Sequence, residues 1–321
     1  MRNRSIVRVL LVALPLAGSA VCALPPRPAW SEEGTRQTAR TFDTPAAAVD
    51  ALVAALRRND QAALHAILGP GSSKLLDSGD RVADAESRKR FLAAYQTRNA
   101  LVAQGADRLV LQVGADDWPF PFPLEKAAGR WSFDSRRGAQ QIVDRRIGRN
   151  EIAAIRTALA VVDAEKLYLQ LTGESGAGEY ASRLASTPGQ HDGLYWPATE
   201  GEPESPLAPL VAQAQDEGYP GEMVAGKPSP YQGYFFRILT GQGPNAPGGA
   251  MDYRVDGRMT KGFGLIAWPA RYGASGIMTF VVNQDGIMFQ KDLGPRTDTI
   301  APAMKLLDPD LSWARIDVVN Q

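Results

Sequence analysis

An α+β fold, helices packed on antiparallel sheets, is what this sequence predicts. Three observations lead there. Apolar residues recur with helical period to about residue 104, alternate with period two from Arg108, and alternate again through the last third between Gly- and Asp-rich turns. The first helix starts at Thr44-Pro45, where threonine caps and proline suits the first helical position. Val49, Leu52, Val53 and Leu56 then form one apolar stripe. Asn59-Asp60 ends that helix and caps a second over residues 61–67. After the Gly69-Pro70-Gly71 break, residues 84–104 read as a third helix with Phe91, Leu92, Tyr95 and Leu101 on its buried side.

Leu109, Leu111 and Val113 mark the first strand, and Gly114-Ala115-Asp116-Asp117 a turn. In Trp118-Pro119-Phe120-Pro121-Phe122-Pro123-Leu124 the prolines share one parity and the apolar residues the other. Proline cannot donate to a ladder, so an edge strand with an inward aromatic face is expected. Ala127-Ala128-Gly129 closes a hairpin with residues 130–134. Helical period returns over 138–171, with Ile142, Ile147, Ile152, Ile155, Leu159, Val162 and Leu167 as its core side and Gly148 as a place to split it. Residues 173–232 are rich in Gly, Pro, Ser and Glu, with one short helix at 207–215. Strands follow at 234–239, 251–255, 263–268, 277–282 and 287–291, the last two joined by Asn283-Gln284-Asp285-Gly286, and a helix over 300–307 closes the chain.

The first 23 residues have a secretory signal layout: Arg2, Arg4 and Arg8, an apolar core, then Ala17-Gly18-Ser19-Ala20. The stretch is short for a spanning helix, which needs about 20 apolar residues. Export to a bacterial periplasm is the expectation. Val21-Cys22-Ala23 allows cleavage after Ala23, leaving no cysteine for disulfides, thiolate chemistry or metal ligation. The alternative is lipidation of Cys22, although Ser19-Ala20-Val21-Cys22 lacks the usual leucine and the small residue before cysteine. Lys plus Arg and Asp plus Glu balance at 35 each, and no basic tract stands out, so nucleic acid is not an expected partner. No later segment reaches spanning length, and His65 and His191 lack the spacing of a two-histidine metal site. No cofactor is expected.

Several segments resemble the bacterial family known as domain of unknown function 2950. They are residues 118–124, Gly129-Arg130-Trp131-Ser132-Phe133-Asp134, Arg146-Ile147-Gly148-Arg149-Asn150-Glu151, His191-Asp192-Gly193-Leu194-Tyr195-Trp196-Pro197, residues 233–240 and residues 282–286. The resemblance spans about 41–313 and implies an exported envelope protein, without catalytic residues to carry over. The first half is also similar to the cone-shaped nuclear-transport-factor-two-like fold, and the strand-rich end vaguely to pilin-like heads, though it lacks their apolar N-terminal helix. Fold alone does not settle function. The expected organisation is a signal peptide (1–23), a flexible leader (24–41), a cone-like α+β domain (42–136), a helical bridge (137–172), a Gly/Pro-rich connection (173–232) and a strand-rich domain with a closing helix (233–315).

His191-Asp192-Gly193-Leu194-Tyr195-Trp196 is the densest polar-aromatic cluster. His191 oriented by Asp192 would serve as an acid/base, with Tyr195 and Trp196 stacking a ligand. The competing reading is an Asp-Gly turn that drops the aromatics into a seam, since turns demand these same residues. Asp116 and Asp117, with Trp118 beside them, suit either a carboxylate pair at a pocket mouth or a solvated turn. Asp144, Arg145, Arg146, Arg149 and Glu151 suit an anion site or a solvated helix face with some arginines crossing a domain contact. The glycines of 241–249 lack a phosphate-loop Lys and a following helix. Asn283 and Asp285 could open a calcium loop, but its twelfth position is Gly294. No Gly-x-Ser-x-Gly elbow occurs, so a serine nucleophile would need His65 or His191 without local support. The expected role is non-enzymatic binding of an envelope protein or small ligand. The alternative is a small-pocket hydrolase or proton-transfer isomerase using a carboxylate or His191.

Overall fold

In the computed structural model, Thr44 caps α1 (Pro45–Arg58), accepting from the Ala47 N–H at 3.1 Å. Asn59 turns the chain in the left-handed region, and Asp60 caps α2 (Gln61–Leu68). A 3-10 turn leads into α3 (Ser73–Leu76) and then α4 (Arg81–Thr97), capped by Asp80. The structure describes residues 39–135, 138–174, 176–220 and 228–317. The proposed signal peptide, Cys22 and nearly all of the leader lie outside them.

The helix expected to reach Gln104 stops at Thr97. Arg98 is extended, and β1 (Asn99–Ala103) pairs with β2 (Arg108–Val113), Leu101 opposite Leu111. Leu101 fits both periods, and cross-strand pairing with a residue ten positions on decides between them. β3 (Trp118–Pro119) pairs only with β2, and the Phe120 N–H reaches the Leu111 carbonyl at 2.7 Å. The odd-numbered prolines therefore turn their missing donors away from β2, as an edge requires. That edge lasts two residues. The chain bends at 120–123 and re-enters as β4 (Leu124–Ala127), between β2 and β5 (Arg130–Phe133). Ala128 and Gly129 both have positive φ, making the two-residue hairpin turn that matches strand twist. Phe42 bridges the outer edge of β5 at Trp131.

α5 (Ala139–Gly173) runs unbroken for 35 residues, about 52 Å at 1.5 Å per residue. Gly148 does not split it; it sits on the exposed face, where an added Cβ would meet no further atom within 4 Å. Ile152 and Leu167, expected in the core, are 54% and 50% exposed. The buried stripe is instead Val143, Ile147, Ala154, Ala158, Val161, Val162, Glu165 and Tyr168. Alanines let the helix axis approach the sheet closely, an advantage that ranking residues by apolar bulk overlooks.

Residues 176–220, expected to be loose, are packed. Ala181, Leu194, Trp196 and Leu207 join the core beneath α5, and α6 (Ala208–Asp216) follows. The main sheet begins with β6 (Tyr234–Leu239). After the short β7 (Gly241–Gln242), β8 (Met251–Asp252), β9 (Arg254–Val255) and β10 (Arg258–Met259) come β11 (Gly264–Pro269), β12 (Met278–Asn283), β13 (Met288–Asp292) and β14 (Ala314–Ile316). Its antiparallel order is β14-β13-β12-β11-β6, with β12 central and β11 beside it buried at every residue. Ile238, Leu265, Phe280, Val282 and Met288 face α5. Leu239, Ile266, Trp268 and Val281 face the other way, with Ala301 of α7 (Thr297–Ala303) and Leu307. α7 is shorter than the expected 300–307 helix and starts earlier. Arg237 on β6 terminates it, donating to the carbonyls of Ala301, Pro302 and Met304. The architecture is α+β, helices on antiparallel sheets, and the described residues form one compact unit.

The two sheets meet along a polar seam. Asp80, 1% exposed, uses one carboxylate oxygen to cap α4 at Val82 and Ala83. The other accepts from the Tyr219 hydroxyl and the Gly233 N–H, both at 2.8 Å. Arg146 of α5 donates to the carbonyls of Ala274 (2.9 Å), Leu75 (3.1 Å) and Lys74, with Asp84 at 3.9 Å. Asn150 donates to the Ser275 carbonyl, and Glu151 accepts from Ile277 and Met278 N–H groups.

Two stability outcomes follow. Phe122, fully buried against Phe120, is expected to cost about 3–5 kcal/mol on Phe122→Ala, read by urea unfolding. Thr44→Ala should cost about 1 kcal/mol as an ordinary cap loss. Asp80→Ala should cost at least about twice that, because the Tyr219 and Gly233 donors lose their acceptor in addition to the cap. Equal losses for the two cap variants would show that the seam contributes nothing beyond capping.

Candidate functional site

His191 and Asp192 lie side by side in sequence but engage different partners. The Asp192 carboxylate accepts from the Thr187 N–H (2.7 Å) and hydroxyl (2.8 Å), with Arg183 at 3.3 Å. Partial burial raises its pKa, but these donors outweigh that and hold the group below the usual carboxylate value. His191 turns away. Its ring stacks on Trp196 at 4.3 Å between centroids, and its Nε2 lies 3.3 Å from Glu202 Oε2. Trp196 is 5% exposed, and its indole N–H donates to the Pro203 carbonyl. Gly193 allows the tight return: a Cβ there would stand 2.7 Å from the Ala185 carbonyl carbon. Tyr195 is half-buried, bonded through its main chain to Leu184 and Ser186. Below, the Tyr168 hydroxyl donates to the His191 carbonyl at 2.8 Å. What this region presents to solvent is an imidazole–carboxylate pair lying on an indole.

Asp116 and Asp117 sit on the β2–β3 turn. Asp116 is exposed, and Asp117, at φ 50°, faces Arg98 at 3.3 Å. Trp118 is 43% exposed and meets Phe120 edge-on. Inside this lobe Phe120, Phe122, Leu124 and Phe133 pack together, with both acids on the outer side of the turn.

His65 and Ser72 come together in a way the sequence does not announce, with Nδ1 3.2 Å from Oγ. The serine proton is directed elsewhere, to the Gly69 carbonyl at 2.6 Å, and Ser72 is 0% exposed. A nucleophile needs the base to receive that proton and the substrate to reach the oxygen, so this pair buttresses the α2–α3 corner. The glycines of 241–249 wrap the Gln242 side chain, which donates to the Pro247 and Gly249 carbonyls and accepts from the Tyr253 hydroxyl. Beside it lies an open groove of about 340 Å³ between Met251 and Leu306, whose charged residues, Asp252 and Arg254, pair with each other at 3.2 Å. Asn283 Oδ1 is occupied by the Asp285 and Ile287 N–H groups, a turn role. Among the described residues no cluster of His, Cys, Asp or Glu is placed to hold a metal.

Sequence reasoning passed over Glu165. It sits on the buried stripe of α5, four residues after Val161 and three before Tyr168. It is 0% exposed, with Oε2 accepting from the Ala181 N–H at 2.8 Å and Oε1 without a partner among the described residues. Burial pushes its pKa up to about 8, only partly countered by the Ala181 N–H. It is therefore mostly protonated at pH 7; once ionised at higher pH it adds to the burial that raises the Tyr180 pKa, and, behind burial, Glu179 and Asp192, to that of Tyr168.

Between the ordinary value of 4.5 and about 8 the unfolded chain has released this proton and the folded chain has not. Stability from this group is thus complete below the lower value and lost as pH rises through the upper one. Glu165→Gln, which keeps an acceptor for Ala181, is expected to change stability little at pH 5 and to unfold at higher urea than wild type at pH 9. Parallel losses in both proteins across that range would remove Glu165 as the source.

No helix among the described residues is long and apolar enough to cross a membrane. No curated protein and no solved structure matches the chain. Residues 39–316, which carry the α+β fold, the polar seam and the His191 turn, match the family described as Protein of unknown function (DUF2950), and the chain belongs to that family.

Proposed function

We propose that this is an exported envelope protein whose role is to bind or scaffold rather than to catalyse. The observation that carries this reading is the separation of His191 from Asp192: one imidazole faces Glu202 while the neighbouring carboxylate is fully engaged by Thr187 and Arg183. An acid/base site needs its groups to converge on a space a substrate can enter. The other candidate acids, Asp116 and Asp117, lie on the outer side of a lobe whose interior is a cluster of aromatic and aliphatic side chains. The arginine-led apolar start and small-residue zone of residues 1–23 support export through a cleaved signal, with lipidation of Cys22 the less favoured processing.

A second reading, hydrolysis or proton transfer, is favoured by one contact only, the exposed His191–Glu202 pair over Trp196. The two readings separate in one set of measurements. Mass spectrometry of protein purified from its native host is expected to give a free N-terminus at Leu24 in the envelope fraction. A chain retaining Met1 in the cytosol would overturn export, and a lipid on Cys22 would replace the soluble form by a tethered one. Against a panel of ester, phosphoester and glycoside substrates, His191→Ala and Glu202→Gln should leave turnover indistinguishable from wild type. Activity lost in both variants would make the site catalytic.

A further inference from the structure

The geometry points to β1 as a docking edge for a second copy of this chain, joined antiparallel about a two-fold axis at Leu101. Three of its five residues, Asn99, Val102 and Ala103, are exposed, and it pairs only with β2. The direction of its backbone groups follows from the ends of the ladder. Gly114 N–H donates to the Arg98 carbonyl and Gln104 N–H to the Arg108 carbonyl, so the alternating bonded positions are Ala100 and Val102. Asn99, Leu101 and Ala103 therefore direct their N–H and C=O groups outward, where no other described residue accepts or donates.

The remaining edges of the two five-stranded sheets are guarded. Phe42 bridges β5, with N–H groups exchanged at 2.7 and 2.8 Å. β14 is three residues long and carries Arg315 beside Asp317. β6 has no exposed residue, and β3 is two residues ending in proline. β1 has none of the usual protections, neither charge nor proline nor bulge, in Asn99-Ala100-Leu101-Val102-Ala103.

The edge is complementary to itself. With Leu101 opposite Leu101 of the second copy, Asn99 falls opposite Ala103 at both ends. All outward-directed groups then meet outward-directed groups. Facing residues share a sheet face, so Ala100 meets Val102 of the second copy. The charges at the strand ends agree as well. Arg98, 58% exposed and already 3.3 Å from Asp117 of its own copy, comes beside the 104–107 turn of the second copy, so the exposed Asp107 would add a second carboxylate to an existing pair, and the two-fold repeats the contact. Asp107 has no ion-pair partner of its own among the described residues.

Sedimentation velocity of the full purified protein over a concentration series should show a monomer–dimer equilibrium. Val102→Lys places a charge on the edge, and Ala103→Pro removes one outward N–H without touching the β2 ladder. Each should weaken dimerisation at least about tenfold, with the wild-type melting profile retained as the check on folding. In a Cys22→Ser background, Leu101→Cys should form a disulfide dimer under mild oxidation, since directly bonded antiparallel pairs stand about 5.5 Å apart at Cα. Ala103→Cys alone should not, because residue 103 faces residue 99. A protein that stays monomeric at the highest concentration reached overturns the proposal. So do a dimer indifferent to both edge variants, open-ended association beyond the dimer, and crosslinking at 103 equal to that at 101.

Discussion

The guanidinium of Arg146 joins three stretches of main chain that sequence alone would not bring together. From the first third of α5 it reaches the carbonyls of Lys74 and Leu75 on the helical side and of Ala274 on the loop before β12. Asn150 and Glu151, one turn further on, hold Ser275, Ile277 and Met278. The planar fork of arginine suits this work, because several donors leave one rigid group in fixed directions. Burial lowers the Arg146 pKa, offset first by Asp84, and the same burial raises Asp84 above its usual value. Both groups lie at the junction of the two sheets, so their desolvation is the cost of a polar seam there. The main-chain bonds they make are what offset it.

Much of the fold was legible because local chemistry and the final packing agree. Thr44, Asp60 and the 207–215 stretch announced helices that form where expected. The inward parity of Phe120, Phe122 and Leu124 was readable from the alternation alone, and all three are buried. What escaped was decided by partners distant in sequence. Leu101 sits in a strand because β2 lies opposite, and residues 124–127 form an inner strand because β5 pairs along their other side. On α5, bulk misled: Ile152 points outward while Ala154 and Ala158 make the contact. Residues 176–220 look like a linker because their buried anchors, Ala181, Leu194, Trp196 and Leu207, are spaced without either regular period.

The candidate sites were legible as residues and not as geometry. Turn-forming and catalytic chemistry draw on the same types, so His191-Asp192-Gly193 and Asp116-Asp117 fit either reading until their partners are placed. Those partners, Thr187, Arg183, Glu202 and Arg98, lie at separations no motif encodes. Glu165 is the reverse case. Its spacing from Val161 and Tyr168 puts it on the α5 stripe, while its charge gives no sequence signal of burial.

Edges and seams in this protein reflect one constraint, that every main-chain donor and acceptor needs a destination. Inside, side chains provide it: Asp80 for α4 and Gly233, Glu151 for Ile277 and Met278, Arg237 for the end of α7. At the borders of the sheets the same requirement is met by Phe42 on β5 and avoided at β14 by brevity and charge. β1 departs from that economy. Its outward groups are left to water, on a strand whose side chains do nothing to discourage a partner. Where side chains and short, charged edges meet that requirement at the other borders of the two large sheets, β1 meets it by the strand of a second copy.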